Sequence, residues 1–473
     1  MSFSTLFFLA IFLPLFLLCY GLAPRLAAKN RVFLVFSLIF YAFSGVSYLL
    51  LAVGLTLLAY VLGRLMEQHP EKKKTFLILG CAALLAALGI FKYTNFVLGT
   101  VGALAGKDLT LSIALPLGIS FYSFKLISYL SDVYHERIPA EHRFQDLLLF
   151  AVNFQTVTQG PIIRYEGFYQ ELHHRMKFRS PQIADGTFRF CVGLAKKVLL
   201  ADHMGEIVDA VLPVSGAGSA SVAACWAGAV CYSLQLYLDF SAYSDMAIGL
   251  GQMIGFHFME NFNYPYIARN VRDFWRRWHI SLSSFFRDYV YIPLGGSRVS
   301  FGRLFLNVMI VWALTGLWHG ASWNFVLWGL YYGILVMIEN LWKKKVGHDL
   351  PSVLGHIYTI FVFVFGWVLF RFSDFTALRL VIRGLFGGNG QPLITTPVAL
   401  TLENNLFFLI FCVLASTPIF RAAAQKIQGK LSLTVSGRRG QYLLMTALSA
   451  LLLVLCILAM AGQTYTPFLY NQF

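Results

Sequence analysis

Apolar runs separated by short polar stretches recur along the chain, near residues 3–22, 31–44, 46–64, 75–91, 94–106, 111–130, 146–160, 187–201, 222–256, 304–319, 322–341, 353–371, 404–420 and 441–462. A helix needs about 20 apolar residues to cross a bilayer directly. Several of these runs are shorter and predict re-entrant segments or half-helices, whose backbone must be covered by protein or water. The expectation is an all-α polytopic membrane protein with about ten to twelve transmembrane helices. No repeat or low-complexity linker divides it, so residues 1–473 read as one domain. Within it, 1–110 would be N-terminal spans, 111–345 a core and 346–473 C-terminal spans.

Composition sharpens this reading. Only 12% of residues are charged, against about 25% in a soluble globular protein. The formal charge of +15 does not form one basic stripe, and no nucleic-acid-binding motif accompanies it, so nucleic acid is not an expected partner. The basic residues instead cluster between apolar runs: Arg25, Lys29 and Arg31; Arg64 with Lys72, Lys73 and Lys74; Lys343 to Lys345; and Arg421 to Arg439. Such clusters mark cytoplasmic loops. A tight turn at Ser44-Gly45 puts the first two clusters on one face, which predicts an N-terminus outside a bacterial cytoplasmic membrane. The run 3–22 lacks a preceding positive residue and a small-residue cleavage site, so it reads as a first span rather than a signal peptide. The seven cysteines are scattered and give neither disulfide framework nor metal-ligand spacing; no bound cofactor or metal is expected.

Two histidines stand out against this background. His319, in Leu317-Trp318-His319-Gly320-Ala321, lies in a stretch from Leu304 to Ile338 without a charged residue. Ionisable groups in such sequence are costly and commonly face a cavity or substrate path. Gly316, Gly320 and Ala321 would let a substrate approach, and Trp318 and Trp323 could wall a passage. His279 lies in Phe274-Trp275-Arg276-Arg277-Trp278-His279-Ile280-Ser281. Read as one helix, 269–289 puts Arg272, Arg276 and His279 on one face and lets Asp273 pair with Arg277. Trp275 supplies apolar cover. Arg276 and Arg277 suit either an interfacial anchor or the phosphates of a nucleotide-containing donor. Farther up the chain, Asp239 and Asp245 lie in an apparent span, where pairing with a nearby arginine is the expectation. Asp239 also stays among the candidate substrate contacts, with Arg276, Arg277, Trp275 and Trp318. The alternative is a proton-coupled transporter or flippase, with the histidines as a relay and the two aspartates as coupling sites.

The motifs carry a resemblance. Leu115–Tyr122 with Ser128–Tyr134, Gly160–Tyr165, Gly193–Lys197, Tyr237–Gly249, Glu260–Tyr266, Asp273–Leu282, Arg287–Gly296 and Leu317–Ala321 resemble the membrane-bound O-acyltransferases over nearly the whole chain. Within that family they are most similar to the membrane subunits of alginate O-acetyltransferase. The resemblance implies that His319 is the catalytic histidine and His279 the second active-site histidine, beside a central tunnel through the bilayer. It further implies a cytoplasmic acyl-CoA donor, usually acetyl-CoA, and an extracytoplasmic partner that completes transfer to a polysaccharide. Two departures stand out: the polar run Asn153–Gln159, and Thr315-Gly316 where the family often has two glycines.

Overall fold

The computed structural model describes residues 1–174, 180–431, 435–462 and 467–469. Every regular element among them is a helix, as expected where the backbone must satisfy its own hydrogen bonds. The chain forms two compact units, residues 1–190 with 244–259 and residues 191–243 with 260–473.

The first unit holds α1 (Phe8–Leu22), α2 (Leu26–Ala42), α3 (Val46–Gln68), α4 (Lys73–Leu88), α5 (Thr94–Ala105), α6 (Ile119–Tyr134), α7 (Phe144–Val152), α8 (Tyr165–His174) and most of α9 (Ser180–Ala195). The predicted turn is present: Gly45 sits at φ +131°, a conformation suited to glycine, between α2 and α3. The polar run Asn153–Gln159 is buried throughout. Phe154 forms its apolar anchor, with its ring 5.1 Å from that of Phe16 and 5.7 Å from those of Phe33 and Phe40. Within the run, Asn153 Oδ1 accepts from Thr156 N at 3.1 Å and from Thr156 Oγ1 at 2.9 Å. Lys125, fully buried on α6, donates to Thr156 Oγ1 at 2.7 Å and to the α7 carbonyls of Phe150 and Ala151 at 3.4 Å. A cation at the negative end of a helix is electrostatically favoured, so Lys125 ties α6 to the end of α7 and to Thr156 of the polar run.

The second unit holds α10 (Asp202–Val211), α11 (Val222–Met253, whose last ten residues belong to the first unit), α12 (Val271–Arg277), α13 (Ile280–Phe286), α14 (Phe301–His319), α15 (Trp323–Val346), α16 (Ser352–Arg371), α17 (Phe375–Leu385), α18 (Thr396–Asn404), α19 (Leu406–Ala415), α20 (Ile419–Leu431) and α21 (Val435–Gly462). The charge-free stretch 304–338 proves to be a hairpin of α14 and α15. A Cβ on Gly316 would meet the Phe325 carbonyl oxygen at 2.2 Å, and one on Gly320 would meet the Phe325 ring at 2.1 Å. These glycines therefore serve close helix packing, as small residues do between membrane helices, rather than making room for a substrate. Their packing puts His319 at the last residue of α14.

Six helical stretches among the described residues are long and apolar enough to cross a membrane: α3, the stretch Pro70–Ala105, α14, α15, α16 and Arg439–Gly462. The pair α18 and α19, bent by 60°, would make a seventh. The other apolar runs that suggested ten to twelve spans form shorter helices, such as α1, α2 and α6, or carry carboxylates, as α11 does with Asp239 and Asp245. Outward-facing Leu443, Leu451 and Leu458 on α21 give the apolar surface that lipid requires.

Candidate active site

The segment around His279 departs from the single helix its periodicity suggests. Asn270 caps α12 by accepting the Asp273 N–H at 2.7 Å, and the helix then stops at Arg277, with Trp278 extended. His279 takes the left-handed conformation at φ +44°, which is uncommon for a non-glycine residue. Helix α13 restarts at Ile280, and its first N–H groups are satisfied by a distant residue. Asn261 accepts from Ile280 N through its carbonyl at 3.0 Å, and through Oδ1 from Ser281 N at 3.1 Å and Ser281 Oγ at 2.8 Å. This break overturns the shared face of Arg272, Arg276 and His279. Arg272 pairs with Glu339 at 3.4 Å and Asp349 at 2.9 Å, Arg276 is exposed and His279 is turned inward, 1% exposed. Residues held in rare backbone conformations cluster at functional sites, and here the kink aims an imidazole at the end of α14.

There the two histidines meet. The His279 and His319 rings lie 6.3 Å apart between centroids, and His319 is 3% exposed. Trp318 packs edge-on against both, at 5.5 Å from His279 and 5.1 Å from His319. Phe240 of α11 lies 4.8 Å from His279, while Trp328 and Phe370 lie 4.9 and 5.5 Å from His319. The pair therefore sits in an aromatic, water-poor shell, which strengthens local electrostatics and disfavours charged side chains.

Burial pushes the His279 imidazole down from its usual range to about 3, so it is neutral at physiological pH. The sign of the linkage follows from a depressed folded-state value: protonation favours the unfolded chain. Stability attributable to this group should be intact above about pH 6.5, the ordinary imidazole value, and decline as pH falls towards about 3. The variant His279→Asn, which tolerates the left-handed backbone, should flatten that decline. Thermal unfolding of both proteins between about pH 5 and 7.5 checks this; parallel Tm curves would refute it.

The remaining candidates are not gathered around the two imidazoles. Trp275 belongs to an aromatic cluster with Trp312, Trp328 and Tyr332, at 4.8, 5.4 and 4.8 Å, and reaches His319 only through Trp328. Arg277 pairs with Asp273 at 2.9 Å, the expected i,i+4 contact. Trp323 is half exposed. Asp239 is committed to Lys197 at 2.7 Å and to Leu469 N at 2.9 Å, so its partner is a lysine instead of the expected arginine. Asp245 does pair with an arginine, Arg189, at 2.9 Å. Sequence reasoning missed Asn261, Phe240 and Lys197 as individual residues, although each lies in or beside a recognised motif. Their contacts join positions from 20 to 42 residues apart, which no local periodicity encodes.

Comparison with known proteins gives the chain a family. The profile of the MBOAT, membrane-bound O-acyltransferase family matches residues 134–381, which include both histidines. The chain is 34% identical to the probable alginate O-acetylase AlgI of Azotobacter vinelandii, over the full length of both. It is 35% identical to the peptidoglycan O-acetyltransferase of Helicobacter pylori, covering 83% of this chain and 81% of that one. It is also 28% identical to the teichoic acid D-alanyltransferase of Bacillus subtilis, over 55% of this chain and 69% of the relative. A paired-histidine site in an all-helical membrane protein, a family profile over half the chain and full-length similarity converge: the chain belongs to the membrane-bound O-acyltransferase family.

Proposed function

We propose that this O-acyltransferase moves an acetyl group from acetyl-CoA, presented at the cytoplasmic face of the inner membrane, to a hydroxyl destined for an exported polysaccharide, with an extracytoplasmic partner completing the transfer. The observation that carries the reading is the pair of buried histidines 6.3 Å apart, a separation that one oxygen-bearing group can bridge. His319 removes the proton from the acceptor hydroxyl as its oxygen bonds to the thioester carbonyl carbon. The C–S bond then breaks, and the proton held by His319 returns to the departing thiolate, leaving an ester and free thiol. Neutral His279 orients the reacting oxygen by hydrogen bonding, with its own position fixed by the backbone kink that Asn261 secures. Full-length similarity to an alginate O-acetylase and extensive similarity to a peptidoglycan O-acetyltransferase support an acetyl group and a glycan acceptor over the D-alanyl transfer named for the less similar relative.

The test is turnover by detergent-purified protein supplied with acetyl-CoA carrying a labelled acetyl group and an oligosaccharide acceptor, with the partner added in a parallel reaction. Label should appear in the acceptor and free thiol should form in equal amount, without any ion gradient. A coupled transporter predicts the reverse: no thiol release, and substrate movement that depends on a gradient across a sealed vesicle. Asp239 and Asp245, the coupling sites that reading needs, are each held in an ion pair.

A further inference from the structure

In the first unit, three side chains with metal-ligand chemistry converge. Glu141 precedes α7, Asp146 lies in its first turn, and His173 lies in the last turn of α8. One ligand atom from each falls within 4.8 Å of the others. His173 Nε2 stands 3.7 Å from Glu141 Oε2 and 4.0 Å from Asp146 Oδ2. Both carboxylates are nearly sealed, at 4% and 6% side-chain exposure.

Glu141 is already oriented. Its Oε1 accepts the N–H groups of His142 and Arg143 at 2.8 Å each, and its Oε2 accepts from the Tyr165 hydroxyl. Asp146 has no such support. Among the described residues its carboxylate accepts no hydrogen bond, and its imidazole partner stands beyond hydrogen-bonding reach at 4.0 Å. His173 Nε2 is likewise buried without a hydrogen-bond partner. Two adjacent buried carboxylates face one imidazole and the nearby Arg143 guanidinium, which makes no hydrogen bond to either carboxylate through its side chain among the described residues, and such charge is costly without a cation held at close range.

We propose that Glu141, Asp146 and His173 form a site for a divalent transition-metal ion of the class that Zn2+ represents. One imidazole nitrogen and two carboxylate oxygens are a recognised donor set for such ions. Ligands about 2.0–2.1 Å from a tetrahedral ion lie about 3.4 Å apart, so the set closes by contractions of about 0.3 and 0.6 Å at the two histidine–carboxylate separations and of up to about 1.4 Å between the carboxylates. The ion's charge offsets the two carboxylates, and the partly exposed side of His173 leaves an entry route and a fourth position for water. The site would staple the loop before α7 to α8. It lies on the side of the basic loop after α3, since His142, next to Glu141, contacts Arg64 at 2.7 Å. No spacing motif announces it, because the ligands come from separate helices.

The test is metal content of the full-length protein, purified without a histidine tag, stripped with chelator, incubated with Zn2+ and dialysed. Wild type should retain about one equivalent, while His173→Ala and Asp146→Asn retain less than about a tenth of that. The neighbouring His174→Ala should bind like wild type, and all four proteins are compared only as monodisperse size-exclusion peaks. Zn2+ should also raise the wild-type Tm and leave that of Asp146→Asn unchanged. Should the ligand variants unfold, Co2+ titration of stripped wild type decides: four-coordinate inner-sphere binding gives visible bands far stronger than those of the hydrated ion, and the absence of thiolate charge-transfer bands separates nitrogen–oxygen donors from cysteine, whereas a spectrum no stronger than that of hydrated Co2+ overturns the assignment. A well-folded wild type that binds no Zn2+, or equal binding by His173→Ala and His174→Ala, would overturn the assignment.

Discussion

Replacing His319 with alanine is expected to eliminate measurable acyl transfer while leaving a folded, monodisperse protein. A positioned general base contributes about 10²–10⁴-fold to rate, equivalent to about 3–5 kcal/mol of barrier. His319 is the imidazole at the end of α14, wrapped by Trp318, Trp328 and Phe370. The loss should therefore fall on kcat and kcat/KM together, the signature of an interaction made in the transition state. His319→Gln, which keeps most of the volume and one polar end, should be as inactive as alanine if proton transfer is the role. Partial activity in the glutamine variant would instead indicate that His319 only holds the substrate. His279→Asn should retain more activity than either, because it preserves the backbone kink and a hydrogen-bonding side chain without supplying a base. Steady-state kinetics of the four proteins, with Tm as the folding control, distinguish these outcomes. Wild-type activity in His319→Ala would remove His319 from the mechanism.

Much of this site was legible in the sequence, and the reasons are physical. An ionisable residue in a long apolar run is expensive, so His319 drew notice before any fold was known. The low charge content and the basic loop clusters likewise gave the membrane class. What escaped notice depended on backbone geometry and distant pairing. Residues 269–289 have helical periodicity, yet the chain breaks at Trp278 because Asn261 receives the first N–H groups of a new helix. Periodicity registers which residues are apolar, and it is blind to a single left-handed residue that leaves the apolar pattern intact. The glycines of the α14–α15 hairpin were misread for a related reason: small residues permit close approach by a ligand or a helix, and only the position of Phe325 decides between them. Among the described residues six helical stretches are long and apolar enough for a direct crossing, fewer than the apolar runs, because such runs measure burial of either kind, inside protein or against lipid.

Asp239 presents the sharpest remaining choice between a structural and a substrate-binding role, and removing Lys197 should expose it. Lys197 is 1% exposed and stands 2.7 Å from both Asp239, 2% exposed, and Asp202, 14% exposed. Asp239 also accepts the Leu469 N–H, and Lys197 lies 4.6 Å over the Phe468 ring, so the pair ties the helical turn Lys196–Ala201, α11 and the segment 467–469 together. Breaking a buried pair by deleting one partner strands the other charge and costs about 3–5 kcal/mol. Lys197→Met should therefore greatly lower the yield and Tm of folded protein, and Asp239→Leu should lower them less, because Lys197 keeps Asp202 at 2.7 Å. The double variant Lys197→Met/Asp239→Leu should recover most of the loss, because a buried pair can often be exchanged for apolar groups at little net cost; Asp202, more exposed, can be solvated. Detergent-phase thermal unfolding measures all three. Turnover by the rescued double variant then settles the role of Asp239. Near-normal kcat and KM would make the carboxylate a structural tie, whereas a folded double variant with a raised KM would show that it contacts substrate. The structural outcome is expected, since both carboxylate oxygens of Asp239 already have partners, while the neighbouring residue on α11, Phe240, faces His279. The same turn of helix would then join the buried charge that holds the unit together to the aromatic wall that shields its chemistry.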